Sequence, residues 1–418
     1  MDPNSVYLWL AVIFGFTMAW GIGANDVSNA MGTSVGSKAL TLRQAILIAA
    51  VFEFLGAFLA GSEVTSTIRK DIINPAVLSN SPDLFIIGML ASLLASGIWL
   101  FIASTFGWPV STTHTVVGAI IGFGLAALGF EGIQWQQFFS IVSGWIFSPL
   151  LGAALAYTLF ISTQRLIFDK KNPIAAAKKI VPFYILIASW IVFMIIASKS
   201  YQLGFVQLNF GQAFLFSTLC SIVMALISKL LVNRLKLNPD DDLQAHFTNV
   251  EKIFTILMIF TACAMAFAHG SNDVANAVGP VAAIVDVINF GDIPQYTHVP
   301  KWVLLMGGLG IIFGLATYGH KVMATVGTKI TQLTPSRGFA ATLAAATTVV
   351  LASSTGLPIS TTHTLVGAIL GVGLARGLHA LNLNVIRRIF ICWIIELPAG
   401  ALLSVCFFHI LKYILIRG

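Results

Sequence analysis

Apolar residues run through this chain in long unbroken stretches. A helix needs about 20 such residues to cross about 30 Å of hydrocarbon, at a rise of about 1.5 Å per residue. Twelve helical segments are predicted on that basis: 6–24, 42–62, 84–105, 109–129, 137–161, 181–198, 210–232, 250–268, 300–319, 339–354, 357–376 and 386–414. Runs of this length specify helices and not the alternating strands of a membrane barrel. Two polar stretches interrupt them, 164–179 and 233–249, the second carrying Asp240, Asp241 and Asp242. Both read as aqueous loops.

Composition strengthens the picture. The chain has 418 residues, 57% hydrophobic and 9% charged, against about 25% charged in a soluble domain. A large soluble enzyme, a disordered regulator and a secreted disulfide scaffold are excluded. The net charge of +7 reflects basic residues in cytoplasmic loops and not a nucleic-acid surface. Cys220, Cys263, Cys392 and Cys406 sit inside apolar stretches without CxxC spacing, so they read as packing residues. No Lys or Arg precedes the first apolar stretch, so no cleavable leader is expected.

Orientation follows from the basic residues. The side reached after the first segment holds 17 Lys and Arg, among them Lys38, Arg165, Lys171, Arg234 and Arg387; the other side holds 6. The richer side is expected in the cytoplasm, with both termini outside.

The chain repeats itself. GANDVSNAMG at 23–32 matches GSNDVANAVG at 270–279 in 7 of 10 positions. GWPVSTTHTVVGAIIGFGLA at 107–126 matches GLPISTTHTLVGAILGVGLA at 356–375 in 15 of 20. The offsets of 247 and 249 residues keep order and spacing. Seven segments separate the starts of the copies, and an odd number turns one copy over relative to the other. The fold expected is an all-α polytopic membrane protein with two inverted repeats, each with a broken first helix and a re-entrant helical hairpin. Residues 1–162 form the first repeat, 163–249 a linker with two spans, and 250–418 the second. The hairpin expectation rests on the short uncharged turns at 106–110 and 355–359, which suit a turn buried in protein. Their tips are expected to approach each other.

The repeated motifs carry the chemistry. Asp26 is twelve residues from Lys38 at the cytoplasmic edge, about 18 Å along a helix, so it lies deep in the hydrocarbon, where an ionisable group marks function. Asn25, Asp26 and Asn29 fit one helical face, and Asn272, Asp273 and Asn276 repeat them. Their oxygens suit a hard cation such as sodium. After Pro109 and Pro358 come Ser111, Thr112, Thr113 and Ser360, Thr361, Thr362, each triad opening an apolar helix. A helix start presents unpaired N–H groups and a positive dipole end, and hydroxyls add donors without net charge. Two such starts facing each other make a tetrahedral oxyanion site. His114 and His363, next in each motif, either protonate and couple transport to pH or orient the helix start by a hydrogen bond. Glu53 and Glu396 are carboxylates in apolar helices, suited to binding cation, carrying protons or pairing with a buried base. Arg337 reads as a cytoplasmic-edge anchor.

At the two Asn-Asp segments and the two Pro-x-Ser-Thr-Thr-His segments the sequence resembles the inorganic phosphate transporter family of cation-coupled phosphate permeases. The resemblance covers both repeats. It implies uptake of inorganic phosphate by symport with sodium or protons, no enzymatic activity, no cofactor and a homodimer in the bilayer. It implies that Asn25 and Asn272 join the two hydroxyl triads around the anion. Asp26, Asn29, Asp273 and Asn276, with Glu53 and Glu396, would form the coupling set, with sodium at Asp26 and Asp273. The large cytoplasmic loop of animal members is missing, which implies a compact prokaryotic carrier of the bacterial inner membrane. Sulfate or a metal–phosphate complex is the neighbouring substrate reading. A passive anion channel, or an intramembrane hydrolase pairing Ser111 or Ser360 with His114 or His363, would belong to other classes.

Overall fold

The structure, a computed structural model, describes residues 3–61, 64–65, 67–68, 72–73, 82–198, 208–235, 243–291, 299–330 and 332–416. Arg69, Lys70, Lys199, Lys236, Arg417 and the three aspartates Asp240, Asp241 and Asp242 lie outside the described residues. The long helices are α1 (Pro3–Asn25), α2 (Val27–Gly36), α3 (Leu42–Ala60), α4 (Pro82–Phe106), α5 (Thr112–Leu128), α6 (Trp135–Thr163), α7 (Pro173–Ser198), α8 (Phe210–Asn233), α9 (Leu243–Phe290), α10 (Lys301–Lys329), α11 (Pro335–Ser354), α12 (Thr361–Arg376) and α13 (Leu383–Ile416). Among the described residues no strand occurs, and nine helical stretches are long and apolar enough to cross a membrane.

Local chemistry sets the helix starts. Thr41 and Gln44 form a capping box at α3, and Asn209 and Gln212 form one at α8. In each, a side-chain oxygen takes an N–H that the helix leaves unpaired. The two hairpin turns share one geometry. Gly107 and Gly356 adopt φ of 65° and 72°, a left-handed conformation that glycine enters at no steric cost. Trp108 N–H then donates to Ala103 O at 2.9 Å, and Leu357 N–H to Ala352 O at 3.1 Å. Each bond closes the preceding helix as a Schellman-type cap.

One expectation is corrected. The repeat predicts a broken first helix in both copies, and only one is broken. In the first copy, α1 and α2 are separated at Asp26, which keeps a bond from its N–H to Ile22 O at 2.8 Å. In the second copy, α9 runs through Asn272 and Asp273 as one 48-residue helix. The polar side chains bond a hairpin in both copies, so those bonds alone do not decide where the helix is interrupted.

The copies pack into each other. A Cβ at Gly23 on α1 would run into Ile311 O of α10, and one at Gly270 on α9 into Glu53 O of α3. Likewise Gly118 of α5 lies against Leu397 O of α13, and Gly367 of α12 against Pro149 O of α6. Each first-copy helix in these pairs meets a second-copy helix, with small residues allowing close backbone approach as in other membrane helix pairs. This interleaving brings both hairpin turns to the Asn-Asp segments.

Candidate functional site

Ser111 and Ser360 are the N-caps of α5 and α12. Their hydroxyl oxygens accept from His114 N–H at 3.3 Å and His363 N–H at 3.1 Å. The second residue of each triad reaches an aspartate: Thr112 Oγ1 donates to Asp26 Oδ2 and Thr361 Oγ1 to Asp273 Oδ2, both at 2.6 Å. The third residue crosses to the other hairpin: Thr113 Oγ1 donates to Ile359 O at 3.1 Å and Thr362 Oγ1 to Val110 O at 3.0 Å. Reciprocal contacts of this kind are the signature of a local twofold. The hairpin tips therefore meet, and all six hydroxyl residues are buried there.

The asparagines have two different jobs. Asn25 holds the first hairpin turn: its Nδ2 donates to Trp108 O at 3.0 Å and Ser104 Oγ at 3.2 Å, while its Oδ1 accepts from Val110 N–H at 3.2 Å. Asn272 holds the second. Its amide satisfies all partners when Oδ1 accepts from Ser353 Oγ at 2.9 Å and Nδ2 donates to Ile359 O and Asp273 Oδ1, each at 3.1 Å. Asn276 Nδ2 donates to Thr112 Oγ1 at 2.9 Å and Thr113 Oγ1 at 3.2 Å. The side chain of Asn29 lies outside the described residues. Asp26 Oδ1 and Asn276 Oδ1 are buried oxygens without a hydrogen-bond partner. Both residues contact Thr112 Oγ1, and their two partnerless oxygens are candidate ligands for a cation.

Sequence reasoning missed His269. Its Nδ1 is 2.7 Å from Glu53 Oε2 and its Nε2 is 2.8 Å from Asp273 Oδ2, all three residues fully or nearly fully buried. His269 thus stands between the two carboxylates, hydrogen-bonded to Glu53 and within ion-pair distance of Asp273. A signal was present in the repeat: His269 stands where the first copy has Ile22. Glu396 is placed differently. Its Oε2 accepts from Ser111 N–H at 2.7 Å, and its Oε1 stands among His114 and His363. Trp145 and Trp393, also missed, lie against these two histidines. The serine and histidine of each motif share one helix cap, but no Ser–His side-chain hydrogen bond exists among the described residues to support a nucleophile.

Comparison with known proteins agrees with this geometry. Residues 22–404 match the model of the phosphate transporter family. A protein of Haemophilus influenzae named "Putative phosphate permease" is 50% identical over 98% of this chain and 98% of its own length. A Thermococcus kodakarensis protein with the same kind of name is 44% identical over 99% of both chains. A solved structure named "The sodium-dependent phosphate transporter" superposes with a TM-score of 0.92 at 42% identity, covering 98% of this chain and 100% of that one.

Proposed function

The chain belongs to the phosphate transporter family, and on that premise we propose that it is a secondary active symporter, moving inorganic phosphate together with sodium. It is an integral membrane protein and not an enzyme. The observation that carries the symport reading is the pair of partnerless oxygens, Asp26 Oδ1 and Asn276 Oδ1, beside two helix starts that face each other. The sodium-dependent protein of known structure supports the choice of cation.

The bonds suggest how cation and anion depend on each other. A hydroxyl has one hydrogen and two lone pairs. In this structure the hydrogens of Thr112 and Thr361 are spent on Asp26 and Asp273. Sodium on each carboxylate replaces that hydrogen as the source of positive charge. The hydroxyl oxygens then turn toward the cations, and their hydrogens are released to phosphate oxygens. Thr112 and Thr361, together with first-turn N–H groups other than those of His114 and His363, offer donors without a fixed positive charge that would prevent release. Ser111, Ser360, Thr113 and Thr362 shape the same pocket, and Asn25 and Asn272 hold its walls. Each substrate thus prepares the site for the other.

The same reading sets the frame around the site. Helices α5 and α12 have 17 and 16 residues, about 26 and 24 Å, short of the hydrocarbon thickness. Their length supports re-entrant hairpins entering from opposite faces, in inverted repeats spanning 1–162 and 250–418. We place both termini outside a bacterial inner membrane, and two chains in a homodimer.

The Glu53–His269–Asp273 chain supports a second reading, in which a proton replaces one sodium. Radiolabelled phosphate uptake into proteoliposomes, with sodium and pH gradients imposed separately, tests both. Accumulation driven by sodium alone supports the first reading, and accumulation driven by pH alone supports the second. Equilibration without accumulation under either gradient makes the protein a channel and sinks the symport reading.

A further inference from the structure

A second cluster of buried polar groups flanks the helix starts, and the transport chemistry above leaves it unused. His114 and His363 occupy the same position in the first turns of α5 and α12. Their ring centroids are 4.2 Å apart at 75°. His114 lies 3.8 Å from the Trp145 ring and His363 3.6 Å from the Trp393 ring. Glu396 sits between the histidines: its Oε1 is 2.9 Å from His114 Nδ1 and 3.4 Å from His363 Nε2. The first copy has Ser148 where the second has Glu396, so of these two equivalent positions one supplies a carboxylate.

The cluster is short of partners. His114 Nε2, His363 Nε2, Glu396 Oε1, Ser148 Oγ, Trp145 Nε1 and Trp393 Nε1 are all buried without a hydrogen bond. Folded proteins tolerate few such atoms, and a concentration of them calls for a bound ion or water. The geometry is informative as well. His114 Nδ1 and Glu396 Oε1 are 2.9 Å apart without forming an aligned hydrogen bond. Such an arrangement leaves both lone pairs open to one metal, since ligands of a metal point at it and not at each other. Bonds of about 2.0–2.1 Å in a tetrahedral shell put ligand atoms about 3.3 Å apart. Separations of 2.9 and 3.4 Å need only small adjustment to reach that value.

The supporting contacts are in place too. Glu396 Oε2 is held by Ser111 N–H at 2.7 Å, which leaves Oε1 for a ligand. The two tryptophans fix the imidazole planes. Metal sites depend on such orientation of their ligands. Two imidazoles and one carboxylate favour a borderline transition metal over sodium or magnesium.

We propose that His114, His363 and Glu396 bind a transition-metal dication of the zinc class, with water as fourth ligand. The metal bridges the first turns of α5 and α12 and so ties the two hairpins together. The proposed ligands share no residue with the Asp26 and Asp273 set, so the proposal stands whichever anion is carried.

Cobalt(II) tests it on the purified full-length protein, in buffer free of phosphate. After loading and dialysis, the wild type should retain about one cobalt per chain, with the intense visible bands of a tetrahedral site. Glu396→Gln and His363→Gln should each weaken retention by about tenfold or more, and Asp273→Asn should keep it. Zinc should raise the melting temperature of the wild type and not that of His363→Gln. Where Glu396→Gln fails to fold, as judged by size exclusion, His363→Gln and His114→Gln carry the test. No retention by the wild type overturns the proposal. So does retention unchanged in both histidine variants, or retention lost in Asp273→Asn while His363→Gln keeps it.

Discussion

His269 Nδ1 lies 2.7 Å from Glu53 Oε2, joining two copies of the repeat across 216 positions of sequence. The close approach of Gly270 to Glu53 O has its counterpart in that of Gly23 to Ile311 O. The positions equivalent to His269 and Glu53 are therefore Ile22 and Ile311. One interleaved crossing is apolar and the other carries a buried acid–base pair that ends on Asp273. The repeats share a backbone while their polar chemistry differs.

That difference predicts a stability pattern. Breaking a buried pair by removing one partner costs about 3–5 kcal/mol, whereas replacing both by apolar residues is close to neutral. Glu53→Ile alone should lower thermal stability sharply. Glu53→Ile with His269→Ile, which copies the sister crossing, should recover most of it. Melting of the purified proteins by intrinsic fluorescence checks this, and a double variant as unstable as the single would count against the pairing.

Coupling should depend on the aspartates. Asp26→Asn and Asp273→Asn keep size and hydrogen bonding but remove charge. Gradient-driven phosphate uptake should collapse in each while the amount of protein in the membrane stays near normal. Unchanged uptake in both would reduce these residues to helix glue.

Phosphate affinity should depend on the two threonines that donate to those aspartates. Thr112→Val and Thr361→Val keep shape and delete one hydroxyl each. A hydrogen bond to a charged group contributes about 1.5–3 kcal/mol, so binding in saturating sodium should weaken roughly ten- to a hundredfold in each. Equilibrium binding on folded, purified variants decides it: wild-type affinity in both rules the shared anion site out.

Topology is open to labelling. Single cysteines at Asn4 and Lys171, in a background without Cys220, Cys263, Cys392 and Cys406, should react from opposite sides of the membrane. Reaction from one side at both positions would contradict outside termini.

Much of the site is legible in the amino-acid sequence, because it is encoded locally. The Ser111 and Ser360 caps, the Gly107 and Gly356 turns and the helix starts behind them depend on residues three to five apart. The duplication makes two such starts evident, and an aspartate buried at each, Asp26 and Asp273, makes them the candidate site. The helical break is less legible: GANDV and GSNDV look alike, yet only the first is interrupted, at Asp26. Nothing inside these two segments marks the difference, and it is seen only in the backbone of the folded chain.

The sequence alone determined the class of molecule, the duplicated frame and the two helix starts, since hydropathy, capping and turn chemistry act over a few residues. Only the tertiary structure decided who meets whom. His269 stands between Glu53 and Asp273, Glu396 caps Ser111 from 285 positions away, and Trp145 and Trp393 enclose the motif histidines. These contacts exist because helices of one copy pack between those of the other. No local period records that interleaving: a buried polar group requires a partner, but its own sequence neighbourhood does not say which helix supplies it.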